Sequence, residues 1–131
     1  MKSLPLTSID KIKKAAHFQQ GLQTLRQLGF GFLDLSYRDT LATNIQSIKT
    51  HESAILKRVQ FTKDHPENCT STAFSHIFQG GYSAGYYSYK WAEVLDADAF
   101  ELFLEKGIFD YQTAKSFEEN ILSKGGTEHP M

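Results

Sequence analysis

Apolar residues recur at spacings of three and four along most of the chain, the period of an amphipathic helix rather than the alternation of a half-buried strand. From Gln19 to about Thr40, Leu22, Leu25, Leu28, Phe32 and Leu35 keep that spacing. One long helix with this face buried is predicted. Gly29 and Gly31 lie inside it. Each weakens a helix by about 1 kcal/mol relative to alanine unless a close neighbour uses the space, so a packing partner is expected there. Upstream, Thr7 and Asp10 stand in the order of a capping box and open a short lysine-rich helix toward His17. Downstream, Thr43 or Asn44 is placed to cap a third helix, with Ile45, Ile48, Ile55, Leu56 and Val59 on one side.

Residues 62–72 carry Asp64, Pro66, Asn68 and Ser71 and read as a linker between two helical halves. Beyond it the pattern gives a short segment from Phe74 to Phe78, a break at Gly80-Gly81, and a long helix from about Ser83 to Glu105. A turn at Lys106-Gly107 then leads to a last helix capped by Asp110 and ended by Gly125-Gly126. No strand alternation or internal repeat competes. The expected fold is all-α, a single helical segment over residues 1–131 with a linker near 62–72.

Composition narrows the picture. At 131 residues, 40% of them hydrophobic and 22% charged, the chain fits one folded domain and is too apolar for disorder. Fourteen basic residues against fifteen acidic ones, mostly scattered, argue against a nucleic-acid partner, which needs a concentrated basic face. The lone Cys69 excludes an intrachain disulfide framework and a cysteine-based zinc site, and fits a reducing compartment. Asn68-Cys69-Thr70 is formally a glycosylation acceptor. The start lacks the apolar stretch of a signal peptide and no run reaches membrane-spanning length, so a cytoplasmic chain without a membrane partner is expected.

The densest chemistry lies between Phe74 and Phe100, where His76, Gly80, Gly81, Tyr82, Tyr86, Tyr87, Tyr89 and Trp91 crowd together. If the helix reaches back to Tyr82, then Tyr82, Tyr86 and Tyr89 share a face within roughly 60°. Tyr87 and Trp91 then point to a packing side with Val94, Leu95 and Leu102. A phenol with a pKa near 10 stays protonated at neutral pH and can donate to an oxygen gaining negative charge during attack on an amide. A nearby histidine can donate as well, and preorganised donors of this kind stabilise transition states by a few kcal/mol. Gly80 and Gly81 give the backbone freedom to fold His76 over the tyrosines. Periodicity alone leaves an aromatic core or an interface as the commoner explanation of such a stripe.

A histidine, then Gly-Gly-Tyr, then two further tyrosines and Trp91 in this order resemble the tyrosine-rich segment of the zinc oligopeptidases, the thimet oligopeptidase, oligopeptidase A and peptidyl-dipeptidase family. The resemblance extends to Leu4-Pro5, to Ala16 through Gly21, to Leu95 through Phe100, and to Gly107-Ile108-Phe109 through Gly125-Gly126. It covers nearly the whole chain, least distinctively from Thr43 to Thr72. The resemblance implies the C-terminal part of a larger helical enzyme in which zinc activates water to cleave short peptides. By the same resemblance Tyr89 and His76 are catalytic, with Tyr89 stabilising the oxyanion, while Tyr82, Tyr86, Gly80 and Gly81 contact substrate.

The family holds zinc with a helical HExxH motif and a downstream glutamate. His51-Glu52 begins that pattern, but Ile55 stands where the second histidine is required, and His17, His65, His76 and His129 are not followed by glutamate. Zinc is therefore expected in the complete enzyme and not on this chain, with the metal apparatus upstream of Met1. The stretch from Thr127 to Met131 resembles a point after which the family continues. Short peptides and the remainder of the peptidase chain are the expected partners, and the segment alone is expected to be inert. The alternative is a non-catalytic helical binding module or truncated remnant. Asp98 shares a stripe with Trp91 and Leu95 and is expected to be a paired structural carboxylate.

Overall fold

The computed structural model describes residues 5–127 and is helical, with no strand among the described residues. The Leu4 and Met131 ends of the chain, with His129, lie outside them. The chain forms two compact units, one running through Lys90 and the other from Trp91 on.

In the first unit, helix α1 spans Leu6–Ala16 and α2 spans Gln20–Asp39, joined through Gln19 in the left-handed region at φ 54°. The capping box does not form. Pro5, its φ already set near the helical value, occupies the cap position, and its carbonyl accepts from Ser8 and Ile9. Thr7 and Asp10 therefore lie inside α1.

Helix α2 has the length its spacing predicts, but its buried residues are Gly29, Gly31, Leu33 and Asp34. Leu22, Leu28, Phe32 and Leu35, expected in the core, remain 37% to 41% exposed. A period identifies which positions share a face, not what covers them. The partner anticipated at Gly29 is present: a Cβ there would sit 3.2 Å from methyls of both Leu56 and Val59.

Leu56 closes helix α3, Ile48–Leu56. Its cap is Ser47, extended at φ −143° with its side chain accepting from the Thr50 amide, rather than Thr43 or Asn44, which lie in a single 3-10 turn over Ala42–Asn44. Ile45, Ile55, Leu56 and Val59 are half-buried, and Ile48 is exposed. Between Leu56 and Thr70 no regular helix forms. Lys49 nevertheless ties this stretch to α3 by an ion pair with Asp64 at 2.7 Å and a hydrogen bond to the Asn68 carbonyl. Helix α4, Thr70–Ala73, and a 3-10 turn over Ser75–Ile77 follow.

Helix α5 spans Ser88–Lys106, five residues shorter at its start than expected. In the second unit, Phe103 packs beside Phe100 and edge-on against Phe117, with ring centroids 6.3 and 6.0 Å apart. Gly107 turns the chain at φ 117°. Asp110 caps helix α6, Tyr111–Phe117, as its sequence position predicts, accepting from the Thr113 amide at 2.8 Å. The helix then widens into a π turn over Glu118–Leu122, and Gly125 takes the left-handed conformation beyond it. Trp91, Val94, Leu95 and Leu102 are exposed, as is Tyr87 in the first unit, so the expected packing side is not covered. Asp98 is exposed too.

Candidate functional site

The site is built from one stripe of α2. Gln27, Gly31, Asp34 and Arg38 stand at i, i+4, i+7 and i+11, one above another on a helix. Arg38 donates to the Ile77 carbonyl at 2.7 Å and lies over the Phe78 ring at 5.8 Å. The Asp34 carboxylate accepts from the Ala84 amide at 2.9 Å and from the Tyr86 amide at 3.0 Å. Gly31 faces the Tyr87 backbone, where a Cβ would stand in ordinary contact with Tyr87 Cα at 3.7 Å. The Tyr86 hydroxyl donates to Gln27 Oε1 at 3.0 Å.

These anchors hold a backbone that is not helical before Ser88. Gly80, Gly81 and Ala84 have φ of 79°, 85° and 57°. The carbonyls of Tyr82, Gly85, Tyr86 and Tyr87 then close successive tight turns that lead into α5. Tyr82 and Tyr86 thus precede the helix, and the helical face expected to unite the three phenols does not exist.

The side chains converge all the same. Tyr82 and Tyr89 stack at 5.5 Å with their planes 15° apart. His76 meets Tyr82 edge-on at 5.3 Å and Tyr86 at 6.1 Å, and Tyr86 lies 5.1 Å from Tyr89. Beneath them Phe30 and Phe74 pack against Tyr86 at 5.6 and 5.2 Å. Tyr86 is only 9% exposed, whereas Tyr82 and Tyr89 are 37% and 40% exposed. Gly80 and Gly81 form the exposed turn between His76 and Tyr82, with nothing within 4 Å of where a Cβ would stand.

The phenols differ in chemistry as well as burial. The Tyr82 phenol, as hydrogen-bond partner, raises the pKa of Tyr89 above its ordinary value, with desolvation and the other tyrosines adding to it. Desolvation raises that of Tyr86 against the opposing charge of Arg26. Both therefore remain proton donors throughout the neutral range. Tyr86 has its hydroxyl engaged with Gln27 and serves as the anchor. Tyr89 and Tyr82 present the outer, solvent-facing phenols.

His51 and Glu52 are occupied elsewhere. The Ser36 hydroxyl gives its proton to the Leu33 carbonyl at 2.8 Å, so His51 Nε2, 2.9 Å away, is the donor to Ser36 Oγ. Glu52 is buried, accepting from the Thr70 amide at 2.9 Å and from the Ser71 amide and hydroxyl at 2.7 and 2.5 Å. Burial pushes its carboxyl up, but the hydrogen bonds from Ser71, Thr70 and Cys69 outweigh that and leave its pKa below the ordinary value. Among the described residues no three of His, Cys, Asp and Glu are grouped to hold a metal. The donor set therefore does not fit a zinc site. A groove of about 650 Å³ is lined by Arg26, Gly29, Val59, Cys69 and others, shares Phe30 and Phe74 with the ring cluster, and has no tyrosine or histidine in its lining.

All four aromatic candidates, His76, Tyr82, Tyr86 and Tyr89, are brought together, while Gln27, Asp34 and Arg38 were not foreseen. The available signal was an acid set within Phe32-Leu33-Asp34-Leu35, at heptad spacing from Gln27.

An all-α segment matched from end to end by a peptidase model defines the class: the chain belongs to peptidase family M3, matching over residues 1–131. Among its relatives it is 46% identical to Oligopeptidase A of Escherichia coli and 42% identical to Oligopeptidase A of Haemophilus influenzae. Each of these matches covers 98% of this chain and 19% of the relative. It is 38% identical to the Probable cytosolic oligopeptidase A of Arabidopsis thaliana over 99% of the chain, again 19% of the relative. The chain thus spans about a fifth of the length of these relatives. No solved structure matches it.

Proposed function

We propose that this chain supplies hydrogen-bond donors and one wall of the substrate site to a zinc metalloendopeptidase that hydrolyses short peptides in the cytoplasm. The observation that carries the reading is the division of labour in the ring cluster. Tyr86 is buried and tied to Gln27, and it supports the exposed stacked pair Tyr82 and Tyr89 with His76 at its edge.

On this reading the Tyr89 hydroxyl donates to the carbonyl oxygen of the scissile amide as negative charge develops there, and His76 donates beside it. Tyr82 lines the peptide with Tyr86 backing it from beneath, and the Gly80-Gly81 turn passes it without side-chain obstruction. Because the donors are fixed before substrate arrives, little reorganisation is needed at the transition state. On this reading the metal and the attacking water belong to the remainder of the peptidase, in keeping with the lack of a metal-binding group of three among the described residues. All 131 residues act as one helical segment of that larger catalytic domain, with residues 62–72 as its linker.

Tyr89→Phe in the complete peptidase tests the reading. The expected result is a fall in kcat of about 10²-fold, the scale of one lost oxyanion donor, with KM and thermal stability little changed. Turnover at the wild-type level would turn the assignment toward a helical binding module.

A further inference from the structure

Asp34 has no exposed surface, yet it is a carboxylate in the middle of a helix. Taking such a group out of water is costly unless its oxygens are hydrogen-bonded. Here one oxygen accepts from the Ala84 amide and the other from the Tyr86 amide, across 50 and 52 residues of sequence. Bonds to an ionised acceptor are roughly twice as strong as neutral ones. The two amides flank Gly85 and lie between Tyr82 and Tyr89, so the carboxylate fixes the path by which the chain leaves one phenol and enters α5 at the other.

That path is not one the chain adopts unaided. Ala84 sits at φ 57°, a conformation costing an L-residue roughly 1–2 kcal/mol. The kink lets Tyr82, a loop residue, stack on Tyr89, a helical one. Without the clamp, a right-handed continuation of α5 toward Tyr82 would rotate the Tyr82 ring away from its present place.

We infer that Asp34 is a positioning residue of the peptidase site: by holding the Ala84 and Tyr86 amides it keeps the Tyr82 and Tyr89 phenols paired toward the substrate. This rests on the proposed role of Tyr89 as a donor. Asp34 itself touches neither peptide nor reacting atoms.

The test is a cycle of Asp34→Asn, Tyr89→Phe and the double variant in the complete peptidase. Asparagine keeps one acceptor and turns an NH₂ toward the other amide. Asp34→Asn is expected to lower kcat by about 10²-fold, the scale of a misplaced catalytic group, with KM within about threefold. It should add little on the Tyr89→Phe background. Wild-type kcat in a folded Asp34→Asn variant, or losses that simply multiply in the double variant, would overturn the inference. If Tyr89→Phe alone leaves kcat unchanged, the donor role fails and the inference falls with it; a normal loss in Tyr89→Phe beside an active Asp34→Asn sinks only the clamp. Should Asp34→Asn not fold, amide exchange in the wild-type protein decides. Ala84 and Tyr86 are expected to exchange about 10²-fold more slowly than in an unstructured peptide, and exchange at the unstructured rate removes the clamp.

Discussion

At the scale of residues, the chain places two acids where they bind backbone rather than metal. Glu52 follows a histidine as in a zinc motif, but Ile55 occupies the position one turn on, and the Glu52 oxygens satisfy the orphan amides at the start of α4. Glu52→Gln leaves an NH₂ facing donors and should destabilise the chain by about 2–4 kcal/mol at neutral pH. The sign of its pH dependence follows from a folded pKa lower than the unfolded one. The charged form's contribution is complete above the unfolded value of about 4.3 and is lost as pH falls through the lower folded value. Urea midpoints at pH 7 and pH 3 should therefore show the wild type and the variant far apart at the first and closer at the second. An equal gap at both would show that ionised Glu52 does not hold α4.

At the scale of elements, α2 teaches most. Its existence and length were legible from Leu22, Leu25, Leu28, Phe32 and Leu35, because helical period is a local property. Its orientation was not. The residues this chain buries are Gly29, Gly31, Leu33 and Asp34, which span roughly 200° of the helix circumference rather than the leucine face, and nothing in a run of leucines tells which sides other segments will cover. The same limit hid the true start of α5: Tyr82 to Tyr87 carry no helix breaker after Gly81 except Gly85, and what bends them is a carboxylate 50 residues away. Asp110, by contrast, was legible as a cap because its partner is three residues on. Convergence of the phenols was anticipated for the wrong geometrical reason, and the aromatic composition of the segment carried it. Two substitutions separate a buried leucine from an exposed one. Leu33→Ala should cost about 2–5 kcal/mol in the isolated chain. Leu35→Ala should cost about 1 kcal/mol or less, since nearly half the side chain is already in water. Thermal denaturation of both variants checks the contrast, and equal costs would mean α2 presents its leucines inward after all.

At the scale of the molecule, exposed apolar surface dominates. Large uncovered side chains occur in both units, among them Leu28, Phe32 and Leu35 in the first and Trp91, Val94 and Leu95 in the second. Surface of this kind marks an interface. Its proposed occupant is the remaining four fifths of the length seen in the relatives. The isolated chain is therefore expected to bind an apolar dye such as ANS and to self-associate as its concentration rises, measured by sedimentation velocity. A monodisperse monomer without dye binding would mean the apolar face finds cover within these 131 residues.

The turn at Gly80 and Gly81 carries one more consequence. Both residues lie at positive φ, and neither has a neighbour within reach of an added methyl. Room is plentiful there, so what the turn rejects in an ordinary alanine is its handedness rather than its bulk. A mirror-image alanine would enter the same turn without strain and would narrow the unfolded chain's freedom besides. Between the histidine and the first tyrosine, the fold selects for chirality.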